Sequence, residues 1–370
     1  MEGPLQIKKL AIIDPTLSNI GVINNLVSLG VESVLFCDDV AEASKRLGKR
    51  VELRDFNPKD CDLSRVDWVV ELIDGGVEEK AKFYNAIFLR KSGCVLSSSV
   101  RPALWDELST KIPEQLINEL TVIHFPTFFR GESVLEFVFG IKGFGDQIRA
   151  IQEICKGRLE VFAHSCRGGL FDRVGYFWVI ACLSAACECG VGVEVADYLI
   201  ANKRTGIPPP GPLSVLDALG VDNFVTALDD LIQLLGRDDP LCAMRAKLPW
   251  IVSAMISDGL TGFSGCRGGF YRAYDMRNGK VEQVIDLTSG LYRNAETLTS
   301  LPQDIHAKDK HNRFLQLVWE QFFSYVEHLI GLYGEGVLGA IDDVLQTSYK
   351  WQYSARELAS RVNVKFDWQK

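Results

Sequence analysis

The sequence predicts an α/β N-terminal part built on a doubly wound parallel sheet, followed by an all-α region of two related helical units. Two observations carry this. Up to about residue 140, short apolar runs alternate with amphipathic stretches of helical period. From about residue 166 helical stretches dominate, and residues 188–206 (ECGVGVEVADYLIANKRTG) are echoed by residues 332–351 (LYGEGVLGAIDDVLQTSYKW).

The elements follow in order. KLAIID is a strand, and residues 20–29 form an amphipathic helix. SVLFCDD is the second strand and VAEASKRLG the second helix. DWVVELI is a strand, leading to a helix through VEEKAKFYNAIFLRK; CVLSSS and LTVIHFP are further strands. Strands this continuously apolar are buried on both faces, which is the mark of a parallel sheet covered by helices. Beyond residue 166, the run VGYFWVIACLSAAC (174–187) is too short to span a bilayer and reads as a buried helix. MRNGKV reads as a β-hairpin turn, since Asn-Gly suits the type I′ geometry.

At 370 residues the chain is long enough for two or three cores. Its apolar share of 47% and charged share of 24% are those of a globular protein and exclude disorder. A net charge of -8 argues against nucleic acid as the partner, because no broad basic field is present to neutralise phosphates. The 10 cysteines sit in apolar sequence. Cys182, Cys187 and Cys189 fall at i, i+5 and i+7, which is no metal spacing, so reduced core thiols and no metal are expected. The N-terminal MEGPLQIKK has neither the apolar stretch of a signal peptide nor the bias of a transit peptide, and a cytoplasmic location without a membrane span is expected.

The segment HFPTFFRGESVLEFV resembles the 3-hydroxyacyl-CoA dehydrogenases, whose motif runs His-Phe-Phe-Asn-Pro with a Glu twelve residues after the His; His124 and Glu136 have that spacing. RTGIPPPGPLSVLDALGVDN resembles the family's Gly-(Phe/Tyr)-Pro-x-Gly-Pro-(x)4-Leu-Asp stretch, with one extra proline. GCRGGFYRAYD resembles its Thr-Gly-x-Gly-Phe-Tyr stretch, and the tail resembles the second helical unit of the longer dehydrogenase forms. The resemblance implies a Rossmann-like domain, NAD as cofactor, and oxidation of a 3-hydroxyacyl-CoA to its 3-oxoacyl thioester in β-oxidation. It puts His124 in the role of general base and Glu136 in that of the carboxylate that orients the imidazole.

Other family positions map onto this chain with departures. At the nucleotide turn the three fingerprint glycines are replaced by Asp14, Thr16 and Asn19, with Pro15 between the first two. A carboxylate at about 4 Å from a phosphate charge costs about 4 kcal/mol at an effective dielectric near 20, unless Asp14 turns away or caps the following helix. Asp38 stands where a carboxylate would bind the adenosine ribose. Glu71 and Lys80 match cofactor-side positions, and Thr127 stands where the family has Asn. On the substrate side, Arg101 aligns with the family's serine, with Ser98 and Ser99 nearby. In SCRGGLFDRVGYF, which resembles Pro-Gly-Phe-(x)2-Asn-Arg, Asp172 replaces an active-site Asn, and a pairing of Asp172 with Arg101 or Arg173 is a natural expectation.

Three functions are compatible with these residues. One is an NAD-dependent 3-hydroxyacyl-CoA dehydrogenase using His124 and Glu136. Another is a non-catalytic relative that binds acyl-CoA or serves assembly after losing its NAD site. The last is an oxidoreductase with an anionic substrate gripped by Arg101. The expected division is residues 1–165 for the Rossmann-like domain, 166–257 for the first helical unit, 258–312 for a connecting segment with a β-hairpin, and 313–370 for a second, partial unit. An acyl-CoA thioester or another small molecule is the expected partner, with the chain a monomer or a homodimer through its helical region.

Overall fold

The structure, a computed structural model, describes residues 5–88, 94–100, 104–126, 134–137, 145–163, 166–263, 265, 267–275, 280–296, 298 and 309–364. The chain divides into two compact units. One holds Met1–Pro126 with Arg130–Gly169, and the other Thr127–Phe129 with Leu170–Lys370.

In the first unit, strands β1 (Lys9–Ile13), β2 (Glu32–Cys37) and β3 (Glu52–Asp55) alternate with helices α1 (Ile20–Val27) and α2 (Val40–Leu47). Strand β4 (Trp68–Glu71), helix α3 (Val77–Ile87) and strand β5 (Val95–Ser98) follow. Helices α4 (Trp105–Ser109) and α5 (Glu114–Glu119) lead to β6 (Leu120–His124), then β7 (Val134–Phe137), α6 (Gly145–Cys155) and β8 (Glu160–Ala163).

The eight strands form one sheet in the order β3-β2-β1-β4-β5-β6-β7-β8. Every neighbouring pair is parallel except β6 with β7. Successive residues of β1 face opposite sides, as the strand period requires. Leu10 and Ile12 join the core under α1 and α6, whereas Ala11 and Ile13 join the core under α3. The strand order reverses between β1 and β4. In open α/β sheets the crevice at the carboxyl ends of the strands on either side of such a reversal is where ligands bind. Asp14 follows β1 directly, Glu71 ends β4, Ser98 ends β5 and His124 ends β6.

The second unit begins with α7 (Leu170–Cys189), followed by α8 (Val193–Ile200), α9 (Pro212–Leu219), α10 (Val221–Leu234), α11 (Pro240–Ala246) and α12 (Trp250–Ser257). A small antiparallel sheet, β11-β10-β9, comprises β9 (Tyr271–Asp275), β10 (Lys280–Ile285) and β11 (Tyr292–Asn294). Helices α13 (Lys310–Tyr333), α14 (Gly336–Asp343) and α15 (Ala355–Arg361) complete it. The region is therefore helical with a three-stranded insertion. The Asn-Gly turn between β9 and β10 lies outside the described residues.

The apolar run at 174–187 is part of a longer helix. At 20 residues, with a mean hydropathy of 1.4 over its apolar window, α7 is long and apolar enough to cross a membrane by length and composition. That window is 89% buried within the protein, as in a core helix. It packs on α13, where the Phe177 and Tyr325 rings stack at 4.1 Å, and Arg173 anchors the same seam. Arg173, 1% exposed, forms an ion pair with Asp239 and donates to the hydroxyls of Tyr325 at 2.9 Å and Tyr333 at 3.0 Å.

The sequence echo corresponds to a repeated geometry. A long helix ends at a glycine of positive φ (Gly190 at 62°, Gly334 at 82°), and a short helix follows. An aspartate of that short helix then caps the next one. Asp197 accepts from the backbone N–H of Leu213 and Ser214 at the start of α9, and Asp342 accepts from that of Ala355 at the start of α15.

Candidate functional site

Three groups of sequence-predicted residues assemble at the carboxyl ends of the sheet. The first is the turn after β1. Asp14 is fully buried, and its carboxylate accepts from the Asn19 backbone N–H at 2.9 Å, the Asn19 amide at 3.2 Å and the Thr16 hydroxyl at 3.4 Å. The Asn19 N–H is one of the free donors that open α1, so Asp14 does cap the helix that follows. Asn19 also donates to the Leu72 carbonyl at 3.2 Å, tying the turn to the end of β4. Leu17 adopts a left-handed backbone, with φ of 55°, in a turn that has no glycine for that role. Burial pushes the Asp14 pKa up, against the hydrogen bonds from Asn19 that lower it. Asp38 is exposed, and its backbone N–H donates to the Pro15 carbonyl.

The second group closes around Glu71. The parallel register of β4 and β5 puts Glu71 beside Ser98. One Glu71 oxygen accepts from Lys80 Nζ at 2.7 Å and from the Ile73 N–H at 2.6 Å; the other accepts from Ser98 at 2.7 Å and Tyr84 at 3.2 Å. Lys80 Nζ also donates to the Ile73 carbonyl and to Ser99 Oγ at 3.2 Å. Glu71 and Ser98 have no exposure and Lys80 only 4%, so the expected substrate serine and the expected cofactor carboxylate satisfy each other. Tyr84 was not singled out from the sequence. It lies four residues after Lys80 on α3, the spacing that puts two side chains on one helix face. Burial and the Glu71 charge raise its phenol pKa well above the ordinary value.

The third group is the His–carboxylate pair. Antiparallel pairing of β6 with β7 places His124 directly opposite Glu136, which is how a twelve-residue spacing becomes a neighbour relation. His124 Nε2 lies 4.0 Å from Glu136 Oε2, longer than a hydrogen bond; the histidine side chain is 25% exposed and the glutamate fully buried.

Gly169, which the sequence did not mark, closes over this pair. With φ of 73°, it leaves its missing Cβ position only 2.2 Å from Glu136 Oε2 and 2.8 Å from His124 Cδ2, so no side chain fits there. The available signal was Gly-Gly just before a helix.

The remaining expectations divide. Arg101 and Thr127 lie outside the described residues. Asp172 is buried in the first turn of α7, in the second unit, where a carboxylate suits the helix dipole. Arg173, suggested as its ion-pair partner, has its guanidinium on Asp239. Among the described residues, nine cysteines are free thiols and no group of His, Cys, Asp or Glu is placed to hold a metal.

Two of the segments that carried the family resemblance hold backbone rather than chemistry. Asp197 binds the start of the GPLS helix and also accepts from the Tyr271 hydroxyl at 2.6 Å. Asp217 accepts from the N–H groups of Phe270 at 2.7 Å and Tyr271 at 2.8 Å, in a nest where Gly269 would place a Cβ 2.1 Å from its carboxylate. Burial raises the Asp217 pKa to about 7.

An α/β unit with this strand order, in a chain that continues into paired helical units, is a fold with counterparts among solved structures. Solved structures locate it further. The chain is similar to 3-hydroxybutyryl-CoA dehydrogenase from Escherichia coli, with 15% identity, a TM-score of 0.60, and coverage of 97% of this chain and 92% of that one. It is similar to the dehydrogenase part of multifunctional enzyme 1 from C. elegans, with 16% identity, a TM-score of 0.57, and coverage of 97% and 89%. Against (S)-3-hydroxybutyryl-CoA dehydrogenase from Ralstonia eutropha it has 16% identity, a TM-score of 0.54, and coverage of 71% and 98%. No protein-family profile and no curated protein matches the sequence. The chain has the fold of the 3-hydroxyacyl-CoA dehydrogenases.

Proposed function

We propose that this chain is a divergent relative of the 3-hydroxyacyl-CoA dehydrogenases that engages an acyl-CoA-type thioester through the fold's substrate side, while its nucleotide turn is closed to the pyrophosphate of NAD. The observation that carries this reading is the position of Asp14. Its buried carboxylate takes the Asn19 N–H, a donor that a helix N-terminus would otherwise offer to phosphate. A pyrophosphate entering there meets a carboxylate that already holds the Asn19 N–H. Acting as the cap of α1, Asp14 holds by a covalent tether a place that a phosphate oxygen would take. The Glu71, Lys80 and Ser98 cluster supports the same reading, because each polar group in it is satisfied by another.

A second reading, an active dehydrogenase, draws on the pairing of His124 with Glu136 beneath Gly169. In that reading His124 accepts the proton of a substrate hydroxyl and Glu136 stabilises the imidazolium that results.

Calorimetric titration of NADH and of a 3-oxoacyl-CoA thioester into the unmodified chain and an Asp14→Gly variant separates the two. The expected result is thioester binding by both proteins, no NADH binding by the unmodified chain, and partial recovery of NADH binding in the variant. Micromolar NADH binding by the unmodified chain would hand the case to the dehydrogenase reading, and turnover assays with 3-hydroxyacyl-CoA would follow. Failure of the thioester to bind either protein would remove the ligand half of the proposal.

A further inference from the structure

Within the second unit, an open cleft of about 600 Å³ lies between α7, the α11–α12 connection, the turn after β10 and α13. That volume is in the range of sites for small organic ligands. Its walls come from distant parts of the sequence, and none of its residues belongs to the groups described at the sheet. Ser184, Cys187 and Glu188 present one face of α7, at the i, i+3, i+4 spacing. Met244, Pro249 and Leu287 supply apolar surface, and Trp250 stands 58% exposed at the edge.

Three polar features give the cleft a chemical character. Ser184 Oγ and Gln321 Oε1 are both buried without a hydrogen-bond partner among the described residues, an arrangement that native interiors generally avoid. Lys247 is exposed and forms no ion pair among the described residues, whereas Glu188, the cleft's acidic residue, is tied to Arg313 at 3.0 Å. The unmatched charge at the cleft is therefore positive.

Gln321 Oε1 can only accept a hydrogen bond, and the Ser184 hydroxyl can accept or donate. The complementary ligand has a flat or flexible apolar body for Trp250 and Met244, an N–H or O–H donor for Gln321, and an anionic group for Lys247. We propose that this cleft is a binding site for a small amphipathic organic anion carrying one hydrogen-bond donor, separate from the strand-end site. The edge of the Trp250 ring rests over Gly290, where a Cβ would lie 3.3 Å from it.

Anilinonaphthalenesulfonate has all three features: aromatic rings, one N–H and a sulfonate. Titration of the full chain with this probe, followed by its fluorescence, tests the site. The expected result is saturable binding of one molecule per chain. Lys247→Glu and Gln321→Leu each weaken it about tenfold, equal to about 1.4 kcal/mol, and Trp250→Ala weakens it further. Lys247 and Trp250 are exposed, so their variants keep the fold, and an unchanged melting temperature verifies this in the same samples. Binding that is indifferent to all three substitutions, or that requires many probe molecules per chain, overturns the proposal. So does the absence of binding at millimolar probe, or loss of probe binding only through dimerisation of the chain.

Discussion

The turn after β1 and the α9–β9 corner of the helical unit both depend on a buried aspartate, yet they have fared differently. At the corner, Asp217 and the glycines around it reproduce the pattern of the family segments they resemble, and the carboxylate binds two backbone N–H groups. At the turn no fingerprint glycine is kept, and Asp14 binds the backbone of a helix start. A residue that holds main chain has to stay whatever the protein does. A residue that admits a ligand has to stay only while the ligand is used. The comparison teaches that positions that hold main chain and positions that face a ligand have to be judged separately.

The strongest way to break this comparison is to remove one member of each unit's buried ion pair. Arg173→Ala leaves Asp239 buried without its guanidinium, and Lys80→Met leaves Glu71 without its ammonium. Each is expected to cost about 3–5 kcal/mol of unfolding free energy, read by urea denaturation. A near-neutral Lys80→Met would show that the Glu71 cluster is held ready for a ligand instead of supporting the sheet.

A smaller effect sharpens the role of Asp217. Its pKa rises from 3.8 in the unfolded chain to about 7 in the fold. Between those values the folded state binds more protons than the unfolded one. Its contribution is therefore fully present below about pH 3.8 and is lost as pH rises towards 7. Thermal melting across that window should show a falling component that Asp217→Asn removes. A slope unchanged in the variant would assign the pH dependence to other groups.

The smallest expected effect is at Ser354, whose hydroxyl and backbone share a reciprocal capping box with Glu357 at the start of α15. Ser354→Ala should cost about 1 kcal/mol in melting experiments. A much larger loss would mean that the second helical repeat depends on its own caps more than on its packing against α7.

Much of the sheet was legible because its central strands are apolar on both faces. Three strands of the first unit were not. β3, ELRD, is a short charged edge strand of the kind that discourages pairing with other chains, and it carries no apolar run. β7 and β8 are four residues each, and their pairing is set by strands distant in sequence. The His124 and Glu136 pair was legible as a spacing, although the antiparallel turn of the sheet that makes them neighbours was not. The Glu71 cluster is a consequence of strand register, and Gly169 of a close approach between separate segments. Neither property exists in a local stretch of sequence. The aspartates at 197 and 217 were visible as letters of a motif, while their role as backbone caps required the third dimension.

A carboxylate fixed at the mouth of α1 also sets a kinetic and evolutionary condition. Because it is covalently attached, it competes with any free anion as a tethered ligand does, at an effective concentration on the order of millimolar or more that dilution never lowers. A free phosphate compound must outcompete it at every encounter. Replacing Asp14 by glycine would free the Asn19 N–H for another acceptor, a phosphate oxygen among them.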